Sequence, residues 1–339
     1  MPQQFKKKGN GFRPVSGLGL CSGGLDSILS ALILQEQGIR VEWISFETPF
    51  FSARSARNAA RMTNIPLIIQ DITTDYMEMM KSPKAGFGKN MNPCMDCHAL
   101  MFAKAGAAMQ ARQFDFLFSG EVVGQRPKSQ NKNALRYVEK NSGFDGRILR
   151  PLSAKCLPET PAEQKGWVDR ERLLDISGRG RKVQMELAER FGITDYPSPA
   201  GGCLLTDPGF SRRLKDLMDT QKQFEVRELF LLKHGRHFRL DEQTKVMVGR
   251  NRGDNAKLLK HMAPEKDVLI KHAQLAGPDI VITGTASAEN IQTAAMICAA
   301  YTTKAICGSR SKICITRNRH SETIEVETVS ADRFHPLMI

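Results

Sequence analysis

Short apolar runs and helical repeats alternate through the first two hundred residues of the chain. Leu18, Leu20 and their neighbours predict a short buried strand, and residues 28–37 place apolar side chains at helical spacing. Residues 41–46 alternate and carry β-branched and aromatic side chains, which predicts a second strand; residues 53–62 predict a helix. Residues 65–72 are apolar enough for a third buried strand. An Ala- and Met-rich helix is expected over 98–113, then a strand over 114–119 and a short apolar segment over 148–152. Further helices are expected over 183–191 and 211–221. Strands alternating with helices predict an α/β fold, a doubly wound parallel sheet over 16–222. Ligands of such sheets sit at the carboxyl ends of the strands. After about residue 222 the rhythm changes. β-like runs at 229–232, 245–248, 268–270, 280–283 and 313–316, with a helix over 288–301, predict a second, smaller α+β domain over 223–330. Residues 1–15, with Lys6, Lys7 and Lys8, read as a flexible basic terminus.

Composition narrows the partners. At 339 residues the chain is long enough for two domains, and 41% hydrophobic with 25% charged residues is ordinary for a globular protein. No run of about 18 apolar residues marks a membrane span, and the basic N-terminus lacks the apolar core of a signal peptide. A cytoplasmic protein is expected. The net charge of +13 suits a polyanion, nucleic acid being the commonest, with a solvated basic surface as the plainer alternative. Arg179, Arg181 and Lys182 precede the 183–191 helix as a phosphate contact or a solvated helix start.

Residues 16–30 carry the most specific chemistry. After the first strand, Ser22-Gly23-Gly24-Leu25-Asp26-Ser27 turns into a helix. Gly23 and Gly24 let the backbone approach a phosphate closely, and the leading helical N–H groups point at it with the positive end of the dipole. Ser22 and Ser27 add hydroxyl donors. Asp26 is a carboxylate among phosphate donors, which suits a partner of Mg²⁺ or of a substrate group. The pattern differs from the Walker loop and from the dinucleotide fingerprint. An Asp-capped helix after a glycine turn is the structural alternative. Glu47 and Thr48, at the end of the second strand, are placed to meet nucleotide. The polar run from Gly120 to Asn131 follows a buried strand and is placed either to meet ligand or to form a surface turn.

Eight cysteines in a chain of this size do not form a disulfide framework if the protein is cytosolic. Cys298 follows an apolar run and reads as core. Cys94, Cys97 and Cys203 have polar or Gly/Pro surroundings. Cys94-Met95-Asp96-Cys97 is expected on the turn entering the 98–113 helix, where the dipole favours thiolate. A Cys-x-x-Cys pair with a distant third cysteine can hold three irons of a 4Fe–4S cluster and leave the fourth open. The other reading is a sulfur relay, one cysteine carrying persulfide and another resolving it. Ligand counting favours the cluster; a purely structural role is the third possibility. Zinc would want a fourth protein ligand, and His98 is poorly spaced for it.

Together these pieces resemble the PP-loop tRNA thiouridine synthetases. The residues that carry the resemblance are Ser22-Gly23-Gly24-Leu25-Asp26-Ser27, Pro93-Cys94-Met95-Asp96-Cys97, Gly201-Gly202-Cys203, and Gly120-Glu121 with Gly124-Gln125; they span about residues 16–215. The resemblance implies an adenine nucleotide alpha hydrolase-like fold. It implies ATP bound by Ser22, Gly23, Gly24, Leu25, Asp26, Ser27, Gly120 and Gln125, with Mg²⁺, and a 4Fe–4S cluster on Cys94, Cys97 and Cys203. Asp26, Cys94 and Cys203 would be catalytic, and Arg126, Lys128, Arg179, Arg181 and Lys182 would contact RNA. The implied reaction adenylates a uridine carbonyl oxygen of tRNA and replaces it with sulfur. Its sulfur donor is free sulfide or a cysteine desulfurase product. The Gly120–Gln125 stretch favours 4-thiouridine over 2-thiouridine; homodimerisation is left open. Residues 225–330 are more weakly similar to the small C-terminal domain of NFACT-type proteins, through Lys245-Val246-Met247-Val248-Gly249-Arg250-Asn251 and Ala276-Gly277-Pro278-Asp279. The usual synthetases place a THUMP domain before the PP-loop; none is expected within residues 1–15, a departure from their pattern. Competing readings are another PP-loop enzyme, such as a cytidine thiolase or amidotransferase, and a non-catalytic RNA-binding protein with a relic loop.

Overall fold

The computed structural model describes residues 14–126, 128–198, 202–284 and 286–339. The expected flexible terminus over residues 1–13, Pro127, and residues 199–201 of the segment leading to Cys203 lie outside them. The chain divides into two compact units, one of residues 1–88 and 92–203, the other of 89–91 and 204–339. The change of composition near residue 222 therefore falls inside the second unit.

The first unit holds β1 (Ser16–Leu20), α1 (Leu25–Gln35), β2 (Arg40–Glu47), α2 (Arg54–Thr63), β3 (Leu67–Asp71), α3 (Thr73–Lys81), α4 (Cys94–Ala111), β4 (Phe116–Ser119), α5 (Lys132–Ser142), β5 (Ile148–Leu149), α6 (Pro161–Gln164) and α7 (Lys182–Arg190). Its five strands are all parallel, in the order β3-β2-β1-β4-β5. This is the expected doubly wound α/β sheet. Trp43 on β2 and Phe118 on β4 are fully buried, and Leu25, Ile28 and Leu29 pack the inner face of α1 into the same core. The strand order reverses between β1 and β4, so the ligand crevice of the fold opens beyond Leu20 and Ser119.

Helices α3 and α5 were not expected, because their sequences are largely polar. Helix α5 forms on local signals: Asn131 caps it by accepting from Ala134 N at 2.9 Å, Gly143 ends it at φ 79°, and Ala134, Leu135 and Val138 line one buried face. Helix α4 begins four residues earlier than expected. Cys94 and Cys97 thus lie inside its first turn, and Cys97 N bonds Pro93 O at 2.8 Å.

The second unit holds α8 (Pro208–Thr220), α9 (Val226–Leu231), β6 (Arg236–Arg239), β7 (Lys245–Val248), α10 (Arg252–His261), β8 (Val268–His272), β9 (Ile280–Ile282), α11 (Ala288–Ala300), β10 (Arg310–Arg317) and β11 (His320–Glu327). Six antiparallel strands run β11-β10-β8-β9-β7-β6, and α11 buries Ile291, Ala294, Ala295 and Cys298 against them. This is the expected smaller α+β domain. The run at 229–232 is not a strand but belongs to α9. Glu225 and Glu228 form a capping box there, and a short apolar run does not by itself distinguish strand from buried helix. Residues 89–91 join this unit through Asn90 Nδ2, which donates to Thr206 O at 2.7 Å, and Met91 N, which donates to Ser211 Oγ at 3.4 Å. Among the described residues no helix is long and apolar enough to cross a membrane.

Candidate active site

The PP-loop candidate lies where the sheet topology directs a ligand. Gly23 adopts φ 75°, and a Cβ there would stand 2.1 Å from the Ser55 carbonyl carbon at the start of α2. Only glycine allows this approach. Ser27 Oγ donates to Gly24 O at 2.7 Å, and Ser22 Oγ accepts from Gly24 N at 3.3 Å, which fixes the turn. No side chain caps α1, so the positive end of its dipole faces the turn.

Asp26 is the centre of the site. Gln125 Nε2 donates to its Oδ2 at 2.9 Å. Its Oδ1 is buried without a hydrogen-bond partner. Burial raises its pKa; Gln125, Arg181, Gln184 and Arg126 act in the opposite direction. Arg126 and Arg181, singled out in sequence as RNA contacts, are therefore within electrostatic reach of the PP-loop carboxylate. Lys128, Arg179 and Lys182 are exposed, Lys182 standing 3.9 Å from Glu186. Gly120 closes the other side: a Cβ on it would lie 2.4 Å from the Asp26 carbonyl carbon. Glu47 and Thr48 are occupied by structure. Glu47 accepts from Ala53 N and from Arg57, at 2.8 Å to Nη1, and Thr48 Oγ1 accepts from Phe50 N.

Glu121, directly after Gly120, connects this loop to the cysteine pair. Its Oε1 lies 2.9 Å from Nδ1 of His98, the residue after Cys97, and its Oε2 accepts from Arg150 Nε at 3.1 Å. Arg150 also pairs with Glu139. Burial works against the Glu121 charge, but Arg150 and His98 outweigh it and hold the carboxyl down at about 2. Sequence reasoning missed this network and Gln184; the polar run after β4 was the available signal for Glu121.

The three singled-out cysteines lie within electrostatic reach of one another and of Tyr76. The buried Tyr76 hydroxyl has its pKa raised by burial and then by Cys97, Cys203 and Cys94. Cys97 is pushed up by burial, with Cys203 and Cys94 adding to the shift. Cys94 Sγ accepts from Asn92 Nδ2 at 3.2 Å. Among the described residues no three His, Cys, Asp or Glu side chains stand in metal-holding geometry. Cys94 and Cys97 lie in the first turn of α4, Cys203 lies on a segment remote in sequence, and burial keeps the Cys97 sulfur a neutral thiol rather than the thiolate expected at the helix start.

Family comparison agrees with this division. Residues 14–155 match the model of the thiamine biosynthesis protein family (ThiI), and residues 235–338 match that of the NFACT protein RNA binding domain. Each match covers less than half of the chain, and the two fall in different units. No curated protein matches it. Solved structures similar to it include a 4-thiouridine synthetase–RNA complex with bound ATP, 17% identical over 52% of this chain and 50% of that one, TM-score 0.34. A protein described as a predicted tRNA methyltransferase subunit from Methanocaldococcus jannaschii is 17% identical over 52% of this chain and 76% of its own, TM-score 0.32. The C-terminal part of a fibronectin/fibrinogen-binding protein from Streptococcus suis is 16% identical over 72% and 90%, TM-score 0.29. The chain spans half the length of the synthetase it resembles. In the ThiI-type region, the matched residues include the PP-loop, the Cys94–Cys97 pair and the Glu121 network; Cys203 lies beyond them.

Proposed function

We propose that the protein is an ATP-dependent tRNA sulfurtransferase that adenylates a uridine carbonyl oxygen and replaces it with sulfur, 4-thiouridine being the favoured product. The observation that carries this reading is the Gly120–Glu121–His98–Cys97 connection between the PP-loop and the cysteines. That link supports a shared site in which a nucleotide-binding loop and the thiols act together.

The polyphosphate of ATP lies on residues 22–27, against the uncapped start of α1. The uracil oxygen forms a bond to the α-phosphorus as the bond to the pyrophosphate oxygen breaks. The loop's N–H groups, with Arg126 and Arg181, meet the charge that develops on the leaving group. Gln125 holds Asp26 in place beside it. A sulfur nucleophile, from free sulfide or a desulfurase product, then forms the C–S bond as the C–O bond to AMP breaks. Cys94, Cys97 and Cys203 would hold a 4Fe–4S cluster, which supplies an open iron as a sulfide carrier. Basic residues of the NFACT-type region hold the tRNA through its phosphates.

The test uses protein purified without oxygen, unmodified tRNA, ATP and sulfide. TRNA-dependent AMP release with a thionucleoside detected by mass spectrometry is expected. AMP release indifferent to tRNA, with no sulfur incorporated, overturns the reading. Iron and acid-labile sulfide are measured on the same samples. About four irons, lost in Cys203→Ala, are expected for cysteine-ligated 4Fe–4S. An iron-free yet thiolating protein assigns the three cysteines to a persulfide relay instead.

A further inference from the structure

Helix α7 brings one more side chain to the PP-loop. Gln184 is fully buried, yet neither its Oε1 nor its Nε2 has a hydrogen-bond partner. Its carboxamide stands within loose hydrogen-bonding reach of the Asp26 carboxylate and helps to lower its pKa, yet no bond of ordinary geometry joins them, and Asp26 Oδ1 is also buried without one. Buried polar atoms are expensive to leave unsatisfied. Their concentration beside a phosphate loop points to a ligand that supplies the missing partner.

The atoms define its chemistry. Asp26 Oδ1 and Gln184 Oε1 are hard oxygen acceptors, and acceptors require a cation or a donor. Arg126 and Arg181 flank Asp26 with positive charge, which suits polyphosphate. A divalent cation bound to polyphosphate satisfies both requirements, and Mg²⁺ is commonly held by one or two carboxylates together with substrate phosphates. Resting on the PP-loop reading above, we propose that Gln184 is part of the divalent-cation site of bound ATP, its amide oxygen joining the Asp26 carboxylate as a ligand or as an acceptor to the ion's water. Gln125 braces Asp26 from the opposite oxygen.

The experiment measures Mn²⁺ binding by electron paramagnetic resonance, using full-length protein with α,β-methylene-ATP. Gln184→Leu preserves side-chain bulk and is expected to weaken Mn²⁺ binding to the complex at least tenfold, while affinity for the metal-free analogue is unchanged. Unchanged Mn²⁺ affinity in a folded Gln184→Leu protein overturns the proposal and makes Gln184 a packing residue. Gln184→Glu supplies an independent readout should the leucine variant not fold. A second carboxylate at a cation site is expected to give a larger Mn²⁺-dependent rise in melting temperature than wild type shows. A variant that melts lower and is not rescued by Mn²⁺ overturns the proposal by the same measure. Failure of wild type to bind the analogue at all, with or without metal, is a different result: it removes the PP-loop reading itself, and this proposal with it.

Discussion

Two buried polar clusters, one in each unit, make an instructive pair. In the second unit, Asp216 accepts from Arg239 at 3.0 and 2.6 Å and from Lys245 Nζ at 2.9 Å; Lys245 also donates to Arg213 O at 3.0 Å. The carboxylate is fully engaged, and α8 is tied to β6 and β7 by charge as well as by apolar packing. In the first unit, Asp26 accepts one bond from Gln125, while its other oxygen and the nearby Gln184 amide make no bond of ordinary geometry. The two carboxyls shift in opposite directions. Burial opposes the Asp216 charge, but Arg239 and Lys245 outweigh it and lower its pKa; at Asp26 burial wins and the pKa rises. A paired buried charge belongs to the scaffold, whereas an unpaired one marks the place where a ligand supplies the missing partner.

Four substitutions test this contrast, beginning with the largest effect. Asp26→Asn is expected to lower ATP-to-AMP turnover on the order of 10²–10³-fold, the scale of losing one preorganised charge-stabilising group. The same variant is expected to be more stable than wild type at neutral pH. A carboxyl whose folded pKa is raised penalises folding above that pKa and not below its ordinary 3.8, so the gain in stability vanishes in acid. Loss of both activity and neutral-pH stability would put Asp26 in the scaffold.

Glu121→Gln is expected to cost roughly 4 kcal/mol in chemical denaturation, because it leaves the buried Arg150 without one of its two carboxylate partners. Glu121 has a depressed folded pKa, so its contribution is full above the ordinary 4.5 and is lost as pH falls through about 2. The variant should lose that part of the acid limb. Asp216→Ala is expected to cost roughly 3 kcal/mol by stranding Lys245 and Arg239, with ATP turnover of the remaining folded protein unchanged. A loss of turnover there would erase the distinction between the clusters. Arg57→Ala, which removes an exposed partner of Glu47, is expected to leave the denaturation midpoint nearly unchanged and marks the small end of the series.

The legible parts of the chain were those whose meaning is local. The PP-loop is six consecutive residues between a strand and a helix, and the Cys94–Cys97 pair spans a single helical turn. The parallel sheet followed from apolar runs separated by helical spacing. Polar helices were harder: α5 hides a narrow buried face among lysines, arginines and asparagines, and its cap at Asn131 and stop at Gly143 were the readable signals. In α9 the apolar run pointed to the wrong element because Glu225 and Glu228 decide it. The site's supporting residues were not legible, since their partners are remote in sequence. Gln184 meets Asp26 from 158 positions away, a separation fixed only by the packing of α7 against α1. His98 and Arg150 meet Glu121 across 23 and 29 residues. Periodicity records which side of an element is buried; it does not record which buried polar group lacks a partner.

The excursion of residues 89–91 into the second unit limits how this protein can be recombined. A module that leaves and re-enters another's chain cannot be transplanted by joining ends. An isolated segment stopping at Cys203 would carry Asn90 and Met91 without Thr206 and Ser211, at a bend only a few residues before Cys94. A segment begun at Leu204 would lack the same three residues. Any shuffling of the two units, by evolution or in the laboratory, must therefore carry a repaired loop just ahead of the cysteine pair, which couples the inheritance of Cys94 and Cys97 to that of the second unit.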